Sequence, residues 1–232
     1  SHKSLNLVDF FRKRILRLLP WYLFFATLDI LTITYIFHQN TAIYRDLPLW
    51  KLYILGRADI HLYFVPMIFQ LYLLFPLLFF LFKKIRPIYL VVLALLWQIG
   101  WYFLITQKTE ILSNNNSLWP DYQQYVYFTS WIFYFVLGMY LAKTKRFLII
   151  GFLATIVGLI WSVVSSLNLT NLGINIIVAE RFTRLPVLMY ATGVIILSCN
   201  LINLIPNIKI LTRLGKFSYI IYLGHTLVLR LI

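Results

Sequence analysis

Residues 62–82 read LYFVPMIFQLYLLFPLLFFLF, and Lys83 and Lys84 follow at once. This run carries no charge and is long enough to cross the ~30 Å hydrocarbon core of a bilayer as one helix. A strand of a β-barrel would alternate over a short segment instead of staying apolar throughout, so the stretch predicts a transmembrane helix. Working outward, six further apolar segments fall at about 18–37, 88–106, 125–142, 147–166, 185–204 and 217–232. The expected fold is all-α: a polytopic transmembrane helical bundle with seven spans, forming a single domain over residues 1–232.

Composition agrees. The 232 residues are 61% hydrophobic and 12% charged, more apolar surface than a soluble domain of this size can hide. Mean hydropathy is +0.82. The net charge of +14 would suggest nucleic acid in a soluble protein. Here the basic residues sit in short clusters between apolar runs, as membrane topology requires, and no nucleic-acid partner is expected. A lone cysteine, Cys199, lies within an apolar run and supports neither a disulfide framework nor a cysteine-based metal site.

Basic clusters flank alternate boundaries. Lys3, Arg12, Lys13, Arg14 and Arg17 precede the first segment; Lys83, Lys84 and Arg86 follow the second; Lys143, Lys145 and Arg146 follow the fourth; Lys209, Arg213 and Lys216 follow the sixth. The opposite loops hold most of the acids, Asp46, Asp59, Glu110, Asp121 and Glu180. The positive-inside rule then places the chain's start in the cytoplasm and its last residues, at Arg230, outside.

Polar groups inside apolar segments are costly and need a reason. Asp29, in FFATLDILTITY, reads either as a contact to another helix or as a functional carboxylate. Arg14 and Arg17 are three apart and share a helical face, while Arg12 points elsewhere. Two guanidiniums on one face suit a phosphate or pyrophosphate, although charge alone favours reading them as an anchor in anionic headgroups. In LGKFSYIIYLGHTLVLRLI, Ser218, Tyr222 and His225 form one stripe, and His225 could carry a proton. Arg57, Asp59 and His61 make a polar group at the outer end of the second segment, with a spacing that matches no metal site. Glu180, Arg181 and Arg184 predict a salt bridge at an outer rim. No G-x-S-x-G elbow, P-loop or dinucleotide glycine motif occurs.

Three stretches together resemble the membrane acyltransferase 3 family: FFRKRILRLLP, with Arg14, Arg17 and Pro20 at the positions of its R-x-x-R and Pro signature; HLYFVPMIFQLYLLFPLL, with Tyr63 where Trp is usual; and LGKFSYIIYLGH. The resemblance covers nearly the whole chain. It implies a membrane enzyme of about ten helices that moves an acyl group, usually acetyl, from acyl-CoA as co-substrate to a sugar hydroxyl, with no bound cofactor. The acceptor implied is a cell-envelope glycan or lipid-linked sugar, and the subgroup resembled is the exopolysaccharide, intercellular-adhesin branch. Arg14 and Arg17 would then contact CoA phosphates or act in catalysis with His225. Arg12, Ser218, Tyr222, Arg57, Asp59 and His61 would line the donor and acceptor paths. The family's catalytic His stands on an earlier helix with no counterpart here, so the chain reads as lacking the first two helices and the last. It is then either part of a longer enzyme or an inactive remnant. A transporter or flippase of glycan intermediates, and a non-catalytic membrane subunit, are the competing readings.

Overall fold

A computed structural model describes residues 6–36, 48–112, 125–144, 147–173, 183–202 and 209–231. Among them lie eight α-helices and no strand, as expected: α1 Leu7–Leu31, α2 Leu49–Leu55, α3 Phe64–Lys84, α4 Pro87–Leu112, α5 Ile132–Leu141, α6 Leu148–Asn171, α7 Leu185–Leu201 and α8 Lys209–Leu231. Four stretches are long and apolar enough to cross a membrane: Leu7–Ile36, His61–Lys84, Pro87–Leu104 and Leu148–Asn171. Helices α5 and α7 are apolar but shorter. α8 is long enough but carries Lys209, Arg213, Lys216 and Arg230. Each of the seven expected segments contains one helix, and α2 is an addition inside the expected 38–61 loop.

The helices gather into two compact units. The first comprises Ser1–Leu77, Tyr122–Phe128 and Asn207–Ile232; the second comprises Leu78–Asp121 and Thr129–Pro206.

In the first unit, α1 begins eleven residues earlier than its apolar segment, so the basic cluster is itself helical. Asn6 caps the helix, its side chain accepting from the Asp9 backbone N–H at 3.3 Å, with Asp9 favourable in the first turn. A π-helical turn, Thr32–Ile36, continues it. Tyr22, Ala26, Ala58, Leu62, Val65 and Leu223 form the core between α1, α8 and the chain around the start of α3. Helix α2 ends at Gly56, whose φ of +65° belongs to the left-handed region; a Cβ there would lie 2.6 Å from the Leu62 carbonyl oxygen. That turn brings Asp59 and His61 back against α8. Three contacts set α8 parallel to α1 and in register: the Tyr219 hydroxyl on the Leu18 carbonyl at 2.9 Å, Gly224 against the Phe25 ring, and Arg230 beside Asp29. Residues about 200 positions apart are therefore level.

In the second unit, α6 and α7 pack closely. A Cβ at Gly158 would press on the Tyr190 backbone, and one at Gly193 on the Thr155 backbone and hydroxyl. Small residues at this seam let two apolar helices touch where lipid gives them no hydrophobic reason to associate. Gly193→Val should lower stability by about 1–3 kcal/mol through overpacking, read as a lower thermal midpoint in detergent.

The expected 125–142 segment is not one continuous helix. A 3-10 turn, Phe128–Ser130, precedes α5, and side-chain amides take up the backbone groups that this break releases. Gln70 donates to the Val126 carbonyl at 2.8 Å and accepts from the Phe128 N–H at 3.2 Å. Gln98 donates to the Ser130 carbonyl and accepts from the Phe133 N–H at 3.3 Å. Irregular backbone at membrane depth persists only where such partners exist.

Candidate functional site

The polar residues of the first unit separate into two groups at opposite ends of the α1–α8 pair. At the start of α1, Arg14 is half-buried, with its guanidinium 4.3 Å above the Phe10 ring and 5.7 Å from that of Tyr72. Phe10 in turn stacks on Phe75 at 4.8 Å. Arg12 and Arg17 are exposed. Among the described residues no carboxylate pairs with Arg12, Arg14 or Arg17. Arg14 is thus held against an aromatic floor by cation–π attraction, with hydrogen-bond donors uncommitted, and Arg17 lies on the adjoining turn.

Twelve residues beyond Arg17 stands Asp29, whose side chain is 0% exposed. It meets residues that the sequence kept apart. Arg230 of α8 lies 2.9 Å from Asp59 Oδ1 through Nη2 and 3.8 Å from Asp29 Oδ1 through Nη1. His61 Nδ1 lies 3.5 Å from Asp59 Oδ2 and 3.4 Å from the Thr226 hydroxyl. His61 Nε2 is 3.1 Å from the Leu223 carbonyl oxygen, which only accepts, so the ring proton sits on Nε2.

The stripe on α8 is divided. Tyr222 donates its hydroxyl to the His61 carbonyl at 2.5 Å, latching α8 to the start of α3. His225 stands 4.9 Å from the His61 ring, centroid to centroid. Its Nδ1 donates to the Tyr222 carbonyl at 2.6 Å, and no described residue hydrogen-bonds its Nε2. The neutral ring therefore presents a bare Nε2, the arrangement a general base needs. Ser218 does not join this group: it is exposed, and its hydroxyl turns back to the Gly215 carbonyl at 2.9 Å. Arg57 is half-buried, and its backbone N–H closes α2 on the Leu52 carbonyl at 2.8 Å.

In the second unit, Arg184 donates to the hydroxyls of Ser165 and Ser166, the latter at 3.1 Å. The predicted rim pair with Glu180 and Arg181 lies outside the described residues. Asp29 and Arg230 are the partners that sequence reasoning did not group with Asp59 and His61. The signal in the sequence was an intramembrane carboxylate at Asp29; Arg230 marked only the outer end of its segment.

A family model, that of an acyltransferase domain, matches residues 3–232. No curated protein and no solved structure matches the chain.

Proposed function

The chain belongs to the acyltransferase 3 family, a family of membrane acyltransferases, and from that premise we propose that it serves the transfer of an acetyl or similar small acyl group from acyl-CoA to a hydroxyl of a cell-envelope polysaccharide or lipid-linked sugar. The observation that carries this reading is the pairing of two uncommitted arginines at one end of α1 with a bare imidazole nitrogen deeper along the α1–α8 pair. His225 is level with Phe25, so Arg17 and Arg14 lie about 12 and 16 Å from it along the axis at 1.5 Å per residue. That order matches a CoA thioester: phosphates at the arginines, pantetheine arm along the helices, thioester carbonyl near His225.

In this reading His225 Nε2, in place of the earlier-helix His that the resemblance implies, removes the acceptor hydroxyl proton. The alkoxide oxygen bonds to the thioester carbonyl carbon, the C–S bond breaks, and the proton passes to the departing CoA thiolate. Arg14 and Arg17 hold the phosphates and so fix the thioester against the base, which is positioning rather than chemistry. The chain start, with its basic cluster, faces the cytoplasm of a plasma membrane, where acyl-CoA resides.

Two donors test the donor end in the full-length protein. With acyl-CoA, Arg14→Lys and Arg17→Lys should each raise KM about tenfold or more, the loss expected when a charge-assisted, bidentate contact becomes a point charge. With acyl-pantetheine, which lacks the nucleotide phosphates, neither substitution should change KM. Equal KM values for wild type and variants with acyl-CoA would reduce these arginines to topology signals.

A further inference from the structure

We propose that Asp29, Asp59 and His61 form a binding site for one divalent transition-metal ion of the zinc, manganese or iron class. One ligand atom from each lies within 4.8 Å of the others. A tetrahedral metal with bonds of about 2.1 Å sets its donors about 3.4 Å apart, and His61 Nδ1 and Asp59 Oδ2 are already 3.5 Å apart. Asp29 closes the remaining gap with a shift of at most about 1.4 Å.

The hydrogen bonds around the three side chains favour a cation between them. His61 gives its Nε2 proton to the Leu223 carbonyl and so turns its Nδ1 lone pair inward. A ligating histidine is oriented in just this way, its second nitrogen donating to a backbone carbonyl. Arg230 takes the other oxygen of Asp59, Oδ1, as an outer partner of a ligating carboxylate does, while Oδ2 faces His61. Independently, Asp29 is fully buried, and neither of its oxygens accepts a hydrogen bond among the described residues. Its one ion contact, to Arg230, is long at 3.8 Å. Two carboxylates meet at membrane depth beside Arg230, and a metal ion would add opposing charge there. One imidazole nitrogen with carboxylate oxygens selects borderline metals over calcium, magnesium or copper(I). Three protein ligands leave a position open for water or a substrate oxygen.

Cobalt(II) is the probe, because its visible d–d absorption reports its ligands and needs neither acyl donor nor acceptor. The full-length protein, purified without a histidine tag and stripped with chelator, should take up about one equivalent and show that absorption. Asp29→Asn and His61→Gln, both close in shape to the native residues, should each weaken uptake at least about tenfold, the lower bound seen even for losing an outer partner. His225→Gln, which removes a neighbouring imidazole outside the ligand set, should leave uptake unchanged. Wild-type protein that takes up no cobalt at millimolar concentration overturns the proposal without any variant being folded. Uptake equal in wild type, Asp29→Asn and His61→Gln overturns it as well.

Discussion

Replacing His225 by Gln in the full-length protein lowers kcat for acyl transfer by about 10²–10⁴, the span that a positioned general base contributes, and leaves KM for acyl-CoA near its native value. The split follows from geometry. The arginine end, proposed to bind the donor phosphates, lies more than 10 Å from His225 along the helix axis. Gln keeps the shape and can still donate to the Tyr222 carbonyl, as Nδ1 does at 2.6 Å, so α8 should stay in place. Steady-state kinetics with membranes normalised for inserted protein checks this. A kcat unchanged within a factor of two would remove His225 from the reaction and leave its ring as packing against His61.

Arg230→Met should have the largest effect on stability, a loss of about 3–5 kcal/mol, because it leaves Asp29 and Asp59 buried without their guanidinium. The same cluster predicts partial rescue. Adding Asp29→Asn to Arg230→Met removes a fully buried carboxylate that has lost its guanidinium and should recover at least about 1 kcal/mol, a coupling that independent sites would not show. Thermal unfolding of the single and double variants, under one set of detergent and metal conditions, gives both numbers. Equal midpoints for the two proteins would mean that Asp29 and Arg230 do not interact through charge.

Much of the architecture was legible before any coordinates, because its signal is local. Each expected apolar segment contains a helix, since an apolar run at bilayer length has no other backbone state that satisfies its amides. Boundaries were less legible where chemistry at the ends is polar: α1 starts at Leu7, inside the basic stretch, because Asn6 supplies a cap that hydrophobicity does not register. The break within the 125–142 segment is not legible in the sequence for a related reason. What permits its break is a pair of glutamines far away in sequence, Gln70 and Gln98, whose amides meet Val126, Phe128, Ser130 and Phe133.

The candidate site was legible in pieces and not as a set. Arg14, Arg17, Tyr222 and His225 were identifiable from spacing and resemblance. Asp59 and His61 read, with Arg57, as a polar group at the outer end of the second segment; Asp29 was a solitary intramembrane charge; Arg230 merely marked an outer end. Their meeting depends on the register of α1 against α8 and on the turn at Gly56, which are long-range facts. Ser218 shows the converse. Its helical stripe was right, but the first turns of α8 are exposed, so sharing a stripe did not place it at the cluster.

The parallel register of α1 and α8 also sets an order of events during biosynthesis. The two helices are neighbours in space and about 200 residues apart in the chain, as the 201-residue separation of Tyr219 and Leu18 shows. At ribosomal rates of about 5–20 residues per second, α1 waits roughly 10–40 s in the membrane before its partner is made. Throughout that interval Asp29 sits in the nascent helix without Arg230, and the core around Tyr22 and Ala26 lacks Leu223. The first unit therefore closes only once α8 has been made, and until then Asp29 lacks its contact with Arg230.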